Sequence, residues 1–209
     1  MKLYQNPMSP PCRRVLAAAY HLNTPIELQT VEFQSSQMQS PEYLKMNPNG
    51  AVPLLQDGDF HLWESGAIMQ YLAEKKGNTE LYPQDVKTRA DITRWNFWSA
   101  YHFGPAAGTI VWETLVKKMM NAGEPDVNAV KEATEDFHKY AKVLNQQLDG
   151  RQFVTGKTVT LADYTIASNL MYAEAARLPW DSYSHIKSWY KRIEGLDAWK
   201  KSAPPSFQK

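Results

Sequence analysis

Four short stretches of this 209-residue chain hold the residue types that a polar small-ligand site needs. Ser9-Pro10-Pro11-Cys12-Arg13 precedes a helical pattern. A serine followed by proline caps a helix start, where its oxygen takes an otherwise orphan N–H. The same hydroxyl lies where a helix N-terminus favours anions, so cap and chemical roles are compatible. Asn47-Pro48-Asn49-Gly50-Ala51-Val52-Pro53-Leu54 is a turn leading into a strand that starts with proline. Alone it reads as an ordinary loop; with a cis bond before Pro53 it would offer the main chain of Val52 to a peptide-like ligand.

Trp63-Glu64-Ser65-Gly66-Ala67-Ile68 joins a strand end to a helix start. An acidic residue there offsets the helix dipole. The chemical alternative is a polar nest, with free N–H groups and the Ser65 hydroxyl for a carboxylate and Glu64 for an amine. An α-amino acid head-group requires that combination. In Val159-Thr160-Leu161-Ala162-Asp163-Tyr164, Thr160 and Asp163 have capping-box spacing, and Val159 is placed to staple against Tyr164. That stretch starts a helix and does no chemistry.

The elements that must position these residues follow from periodicity. Lys2 to Gln5 and Ile26 to Phe33 read as strands, with a helix from Pro11 to Leu22 between them. Pro53 to Gln56 and Phe60 to Trp63, split by Asp57-Gly58-Asp59, read as a hairpin. Glu64 to Lys76 is helical and stops at Gly77. The order is β-α-β-(short α)-β-β-α, a small α/β domain over residues 1–76. Residues 77–86 have turn composition and no period, as a linker does. The rest, 87–209, reads as all-helical: about 87–119, 126–148, 161–176, 182–194 and 196–202.

Composition narrows the function class. With 23 Lys+Arg against 22 Asp+Glu, the formal net charge is +1, which argues against a nucleic-acid binder. One cysteine excludes an intramolecular disulfide framework and cysteine-rich zinc sites, and the five histidines lack metal-ligand spacing. The start turns polar and meets Pro7 at once, and no apolar run could cross a bilayer. The expectation is a cytoplasmic globular protein with no metal, no nucleic-acid partner and no membrane partner.

In their order and spacing, the four stretches together resemble the cytosolic glutathione S-transferases over nearly the whole chain. Ser9 points to the serine-type branch (theta-, delta- and phi-like), with a bacterial type expected. The resemblance implies a thioredoxin-like N-terminal domain that binds glutathione and a helical C-terminal domain that shapes a second-substrate pocket. It implies that Ser9 donates its O–H to the glutathione sulfur. Val52, before a cis Pro53, would pair with the cysteinyl part, and Glu64 and Ser65 would hold the γ-glutamyl end. It implies that the protein conjugates glutathione, as co-substrate, to small electrophiles and forms a homodimer. Asp91, Arg94 and Trp95 are interface candidates.

Alternatives are glutathione-dependent peroxide or disulfide reduction, and a non-catalytic module that binds partner proteins. Cys12 reads as packing rather than as a nucleophile, and Tyr4 as a strand aromatic. Most of the aromatics beyond the linker should be core. Trp98, Tyr101, His102, Phe103 and Trp112 nevertheless fall where the family's second-substrate pocket opens. The sequence departs from the family pattern at Asn49-Gly50-Ala51 and at Gly66, where relatives carry side chains for the tripeptide. Asn49, Gln39 and Lys45 are the candidates to compensate.

One serine suffices for the chemistry. A free thiol titrates at about 8.5. A hydrogen bond to a charged group is worth about 1.5–3 kcal/mol, which shifts a pKa by about one to two units.

Overall fold

The computed structural model describes residues 1–33, 35–77 and 80–205. The chain divides into two compact units, Met1–Pro83 with the C-terminal segment from Gly195, and Gln84–Glu194.

In the first unit, strands β1 (Lys2–Gln5), β2 (Glu27–Thr30), β3 (Leu54–Asp57) and β4 (Phe60–Trp63) form one sheet in the order β2-β1-β3-β4. β1 and β2 are parallel, joined through helix α1 (Pro10–His21); β1–β3 and β3–β4 are antiparallel. Leu3, Leu28, Leu55 and Leu62 align across the strands. The β3–β4 loop is Gly58-Asp59, and Gly58 has φ 59°, as the first position of a tight hairpin loop demands. Helices α2 (Pro41–Met46) and α3 (Ser65–Lys76) complete the βαβαββα order expected. On α1, Cys12, Val15, Leu16 and Ala17 to Ala19 are buried. The short helix α10 (Asp197–Lys201) packs on α1. The sequence reading runs the helical domain to residue 209, whereas this helix groups with the first unit because Ala198 and Trp199 bury there.

In the second unit, the expected single helix 87–119 is present but is not uniformly α. It comprises α4 (Val86–Trp98), a wider π turn (Ser99–Phe103), α5 (Gly104–Val111), a second π turn (Trp112–Val116) and α6 (Lys117–Met120). Pro105 has no N–H for a regular bond and would crowd the carbonyl four residues back, so the turn before it widens. Gly104 closes that turn with its N–H on Ser99 O, and a Cβ there would lie 2.7 Å from the same oxygen. At the second π turn, Thr114 Oγ1 donates to Ile110 O at 2.7 Å and competes for a helical acceptor.

Helix α7 (Val127–Gln147) is capped by Asp126, and α8 (Leu161–Asn169) starts at the capping box. Helix α8 ends seven residues earlier than expected. Past Asn169 the N–H groups reach back three residues instead of four, Leu170 to Ala167 O at 3.0 Å and Met171 to Ser168 O at 3.2 Å, so the chain tightens out of the α-helix. Helix α9 (Ser184–Gly195) follows.

Asp163 does more than cap. Its carboxylate accepts from Thr160 N–H (2.8 Å) and Oγ1 (3.1 Å), from Val154 N–H (2.9 Å) and from Trp189 Nε1–H (2.9 Å). The residue is fully buried. Burial pushes its pKa up, and the four donors oppose that shift.

Candidate active site

The register Tyr4↔Leu54↔Trp63 decides where the candidate residues lie. β1 exits toward Ser9 at the end where β3 enters from Val52-Pro53 and β4 exits to Glu64-Ser65. The antiparallel pairing of β3 thus gathers three distant stretches at one end of one sheet.

Ser9 is the N-cap of α1, with extended backbone (φ −87°, ψ 117°). Its Oγ accepts from Cys12 N–H at 3.4 Å, and its C=O accepts from Arg13 N–H at 3.0 Å. A hydroxyl that accepts through its oxygen keeps its proton for donation. Ser9 is only 6 % exposed, so that donor is largely sheltered from water.

The Val52–Pro53 bond is cis, as the sequence reading anticipated. The loop before it is built to hold that strand entry. Tyr43 Oη and Asn47 Nδ2 both donate to Ala51 O at 2.8 Å, and Asn49 N–H and Nδ2 donate to Asn47 Oδ1. The Val52 side chain packs against the Val31, Tyr43 and Leu54 cluster. Among the described residues, the Val52 main chain has no hydrogen-bond partner. The Asn49 amide is therefore engaged within the loop, while Gln39 is not. Gly50 has φ 57°, and a Cβ there would lie 2.7 Å from Gln39 Nε2. Glycine at 50 is what lets the Gln39 amide lie against this loop. At Gly66 a Cβ would meet nothing within 4 Å, so the helix start at α3 stays open.

Glu64 is the residue whose backbone the sequence did not foretell. It precedes α3 with φ 69° and ψ 111°, outside the left-handed helical well. For a non-glycine residue this costs about 1–3 kcal/mol, of the kind held at ligand sites. Glu64 makes no side-chain cap, so the first N–H groups of α3 lack an internal acceptor. Ser65 is buried at the first helical position. The half-buried Arg14 was not singled out by the sequence; the adjacent Arg13-Arg14 pair after the serine motif was the available signal. Burial lowers the Arg14 pKa to about 10, opposed by the charge of Glu64, and leaves it cationic at neutral pH.

Cys12 is fully buried, and burial pushes its thiol up to about 11, opposed by the Ser9 hydroxyl and the Asn6 N–H. A neutral, enclosed thiol is a poor nucleophile. Cys12→Ala is therefore expected to leave glutathione-dependent turnover within about twofold of wild type, since small buried cysteines act by packing. Steady-state assays of the purified variant check this. Loss of turnover would restore a mixed-disulfide role.

The five aromatic candidates of the helical unit do not share one surface. Phe103 is fully buried, stacked on Trp98 (5.5 Å) and tilted on Phe137 (5.2 Å). It is packed in the core, whereas the sequence reading has it among the pocket candidates. His102 stacks on Tyr140 at 5.1 Å. Tyr101, 72 % exposed, stacks on Phe97, and Trp112 is 44 % exposed. Trp98 lines a cavity of about 480 Å³ with Arg94, Trp95, Val143, Gln146 and Gln147. Tyr4 is the strand aromatic expected, edge-on to Tyr43 with its hydroxyl on Gln56 Oε1.

Comparison with known proteins agrees with this geometry. Residues 1–74 match the family of the glutathione S-transferase N-terminal domain, and residues 103–197 that of the C-terminal domain. Glutathione S-transferase F13 of Arabidopsis thaliana is 36% identical, covering 98% of this chain and 95% of its own. A glutathione S-transferase of Hyoscyamus muticus is 32% identical over 97% of both chains. The structure of glutathione S-transferase-I bound with the ligand lactoylglutathione superposes with TM-score 0.88, at 30% identity and 97% coverage of both chains. Glutathione transferase F7 from Populus trichocarpa superposes equally well, at 28% identity and 96% coverage of both. The Arabidopsis, Hyoscyamus and Populus relatives are plant, phi-class proteins, so the serine-type expectation stands and the expected bacterial type has no support. By the sheet-end geometry and by both matched regions, the chain belongs to the glutathione S-transferase family.

Proposed function

We propose that this protein conjugates glutathione to small electrophiles, with Ser9 stabilising the bound thiolate. What supports the reading most is the Tyr4↔Leu54↔Trp63 register, which brings a sheltered hydroxyl donor, an unpartnered main-chain edge and an uncapped helix start to one sheet end. Each matches one part of a γ-Glu-Cys-Gly tripeptide. The open N–H groups of α3 and Ser65 suit the γ-glutamyl carboxylate, and Glu64 its amine. The N–H and C=O of Val52 suit the cysteinyl main chain by strand-like pairing. The Gln39 amide, at the Gly50 loop, suits the glycyl carboxylate as a neutral donor.

Glutathione supplies the sulfur that forms the new C–S bond; its thiol proton passes to water, and the electrophile's carbon–leaving-group bond breaks, releasing halide in the case of an aryl halide. The chain's own part is to hold that sulfur at the Ser9 hydroxyl and lower its pKa. The helical unit supplies the second-substrate surface, for which Tyr101, His102, Trp112 and Trp98 remain the candidates. A cytoplasmic homodimer is the assembly proposed; Asp91 and Arg94 form a surface ion pair suited to an interface, whereas Trp95 is buried within its own unit. No helix of the described residues is long and apolar enough to cross a membrane.

The first test is binding. At glutathione about 100-fold above Kd, the fold gains ~2.7 kcal/mol. For a chain of this size that raises Tm by roughly 5–10 °C. A thermal shift measured with millimolar glutathione checks it, and no shift would favour the non-catalytic module. Turnover of aryl halides, peroxides and mixed disulfides with glutathione then separates conjugation from reduction.

A further inference from the structure

The helix α10 lies at and beyond the end of the C-terminal family match, which stops at residue 197, and yet it packs on the helix that carries Ser9. The contact is specific. The guanidinium carbon of Arg13 lies 3.9 Å from the centroid of the Trp199 ring, with both residues buried. Trp199 is the largest side chain of α10, and Ser202 Oγ donates to its carbonyl at 2.8 Å.

Arg13 is in turn tied to the candidate catalytic serine. Its N–H makes the first helical bond of α1 on Ser9 O at 3.0 Å, and Cys12 N–H, one residue earlier, donates to Ser9 Oγ. Ser9 itself lies outside the helical dihedrals, so the direction of its hydroxyl depends on where this first turn is held. Hydrogen bonds weaken steeply with angle, and a misplacement of about 1 Å at a reacting group costs on the order of a hundredfold.

We propose that Trp199 is a positioning residue: by stacking on Arg13 it fixes the first turn of α1 and so aims the Ser9 hydroxyl. The proposal rests on the glutathione reading above. A planar guanidinium on an indole face is a stack that neither lysine nor an aliphatic side chain reproduces.

Three variants of the full chain test it: Trp199→Leu, Trp199→Phe and Arg13→Lys. The thiolate absorbance of each glutathione complex is titrated with pH, and kcat and KM are measured with an aryl halide. In Trp199→Leu the titration midpoint is expected to rise by about one unit and kcat to fall about tenfold below it, with KM for glutathione within about threefold. Trp199→Phe, which keeps an aromatic face, should restore most of both. Arg13→Lys should behave like Trp199→Leu while leaving Trp199 in place.

A merely structural role for α10 would lower Tm without moving the midpoint. An unchanged midpoint and kcat in folded Trp199→Leu would overturn the proposal; if that variant does not fold, the same result in Arg13→Lys does so. Failure of Ser9→Ala to move the midpoint would overturn the thiolate reading itself, and the positioning role with it.

Discussion

Ser9→Ala is expected to lower conjugation turnover at neutral pH by about 10- to 100-fold while changing glutathione affinity little. In the proposed complex the hydroxyl donates one bond, stronger to a thiolate than to a thiol. Removing it should therefore raise the bound thiol's pKa by about one to two units. The acid limb of the pH–rate profile moves to higher pH by the same amount. Below the wild-type midpoint the deficit is constant. Above the raised midpoint of the variant the two rates converge, because the thiol ionises without help.

That convergence separates a lost donor from a damaged site, in which the deficit would persist at high pH. The same oxygen also caps α1, but through a long 3.4 Å bond, so the stability cost belongs at the lower end of the usual N-cap range, about 0.5–1 kcal/mol. Stopped-flow or steady-state rates across the pH range are the measurement. Unchanged turnover at neutral pH would move the thiolate-stabilising role to another group.

The largest effect on stability is expected at Asp163. Its two oxygens satisfy four donors from three places: the α8 start, the Val154 loop and the Trp189 indole of α9. Asp163→Ala leaves at least the Val154 and Thr160 N–H groups and the Trp189 Nε1–H buried without acceptors. At about 1–3 kcal/mol for each stranded group, with partial relaxation, the loss should be about 4 kcal/mol. Tm would fall by roughly 8–16 °C in a protein of this length. Asp163→Asn keeps one acceptor oxygen and brings an NH₂ against existing donors, so it should be intermediate. Calorimetry or denaturant unfolding checks the ranking. A loss under about 1 kcal/mol in Asp163→Ala would show that water or repacking replaces the carboxylate.

Much of this architecture was legible because it is local. The Ser9 cap, the Thr160–Asp163 box, the Asp57-Gly58-Asp59 hairpin and the α3 stop at Gly77 each follow from a few adjacent residues with fixed geometric demands. The candidate glutathione residues were legible for the same reason, since each sits at a junction between two short-period elements.

Other features depend on partners distant in sequence or on shifts of hydrogen-bond pattern within a helix. α8 ends early where Leu170 and Met171 switch to hydrogen bonds three residues back, on Ala167 O and Ser168 O. The two π turns in the long helix fall at Pro105 and Thr114, and Phe103, at the end of the first, lies in the core. Periodicity alone registers apolar residues at helical spacing and cannot tell such a turn from a regular one.

What the sequence by itself determined was the set of chemical groups and the elements that carry them: a serine at one helix start, Glu64 and Ser65 at another, and a proline at a strand entry. What only the tertiary structure decided was their convergence and support. The antiparallel entry of β3 beside β1 put Ser9 at one sheet end with Val52 and Glu64, which follow it by 43 and 55 positions. The folding back of Trp199 onto Arg13 placed a C-terminal side chain behind the helix that holds Ser9. Both depend on long-range burial, whose partners no local pattern names.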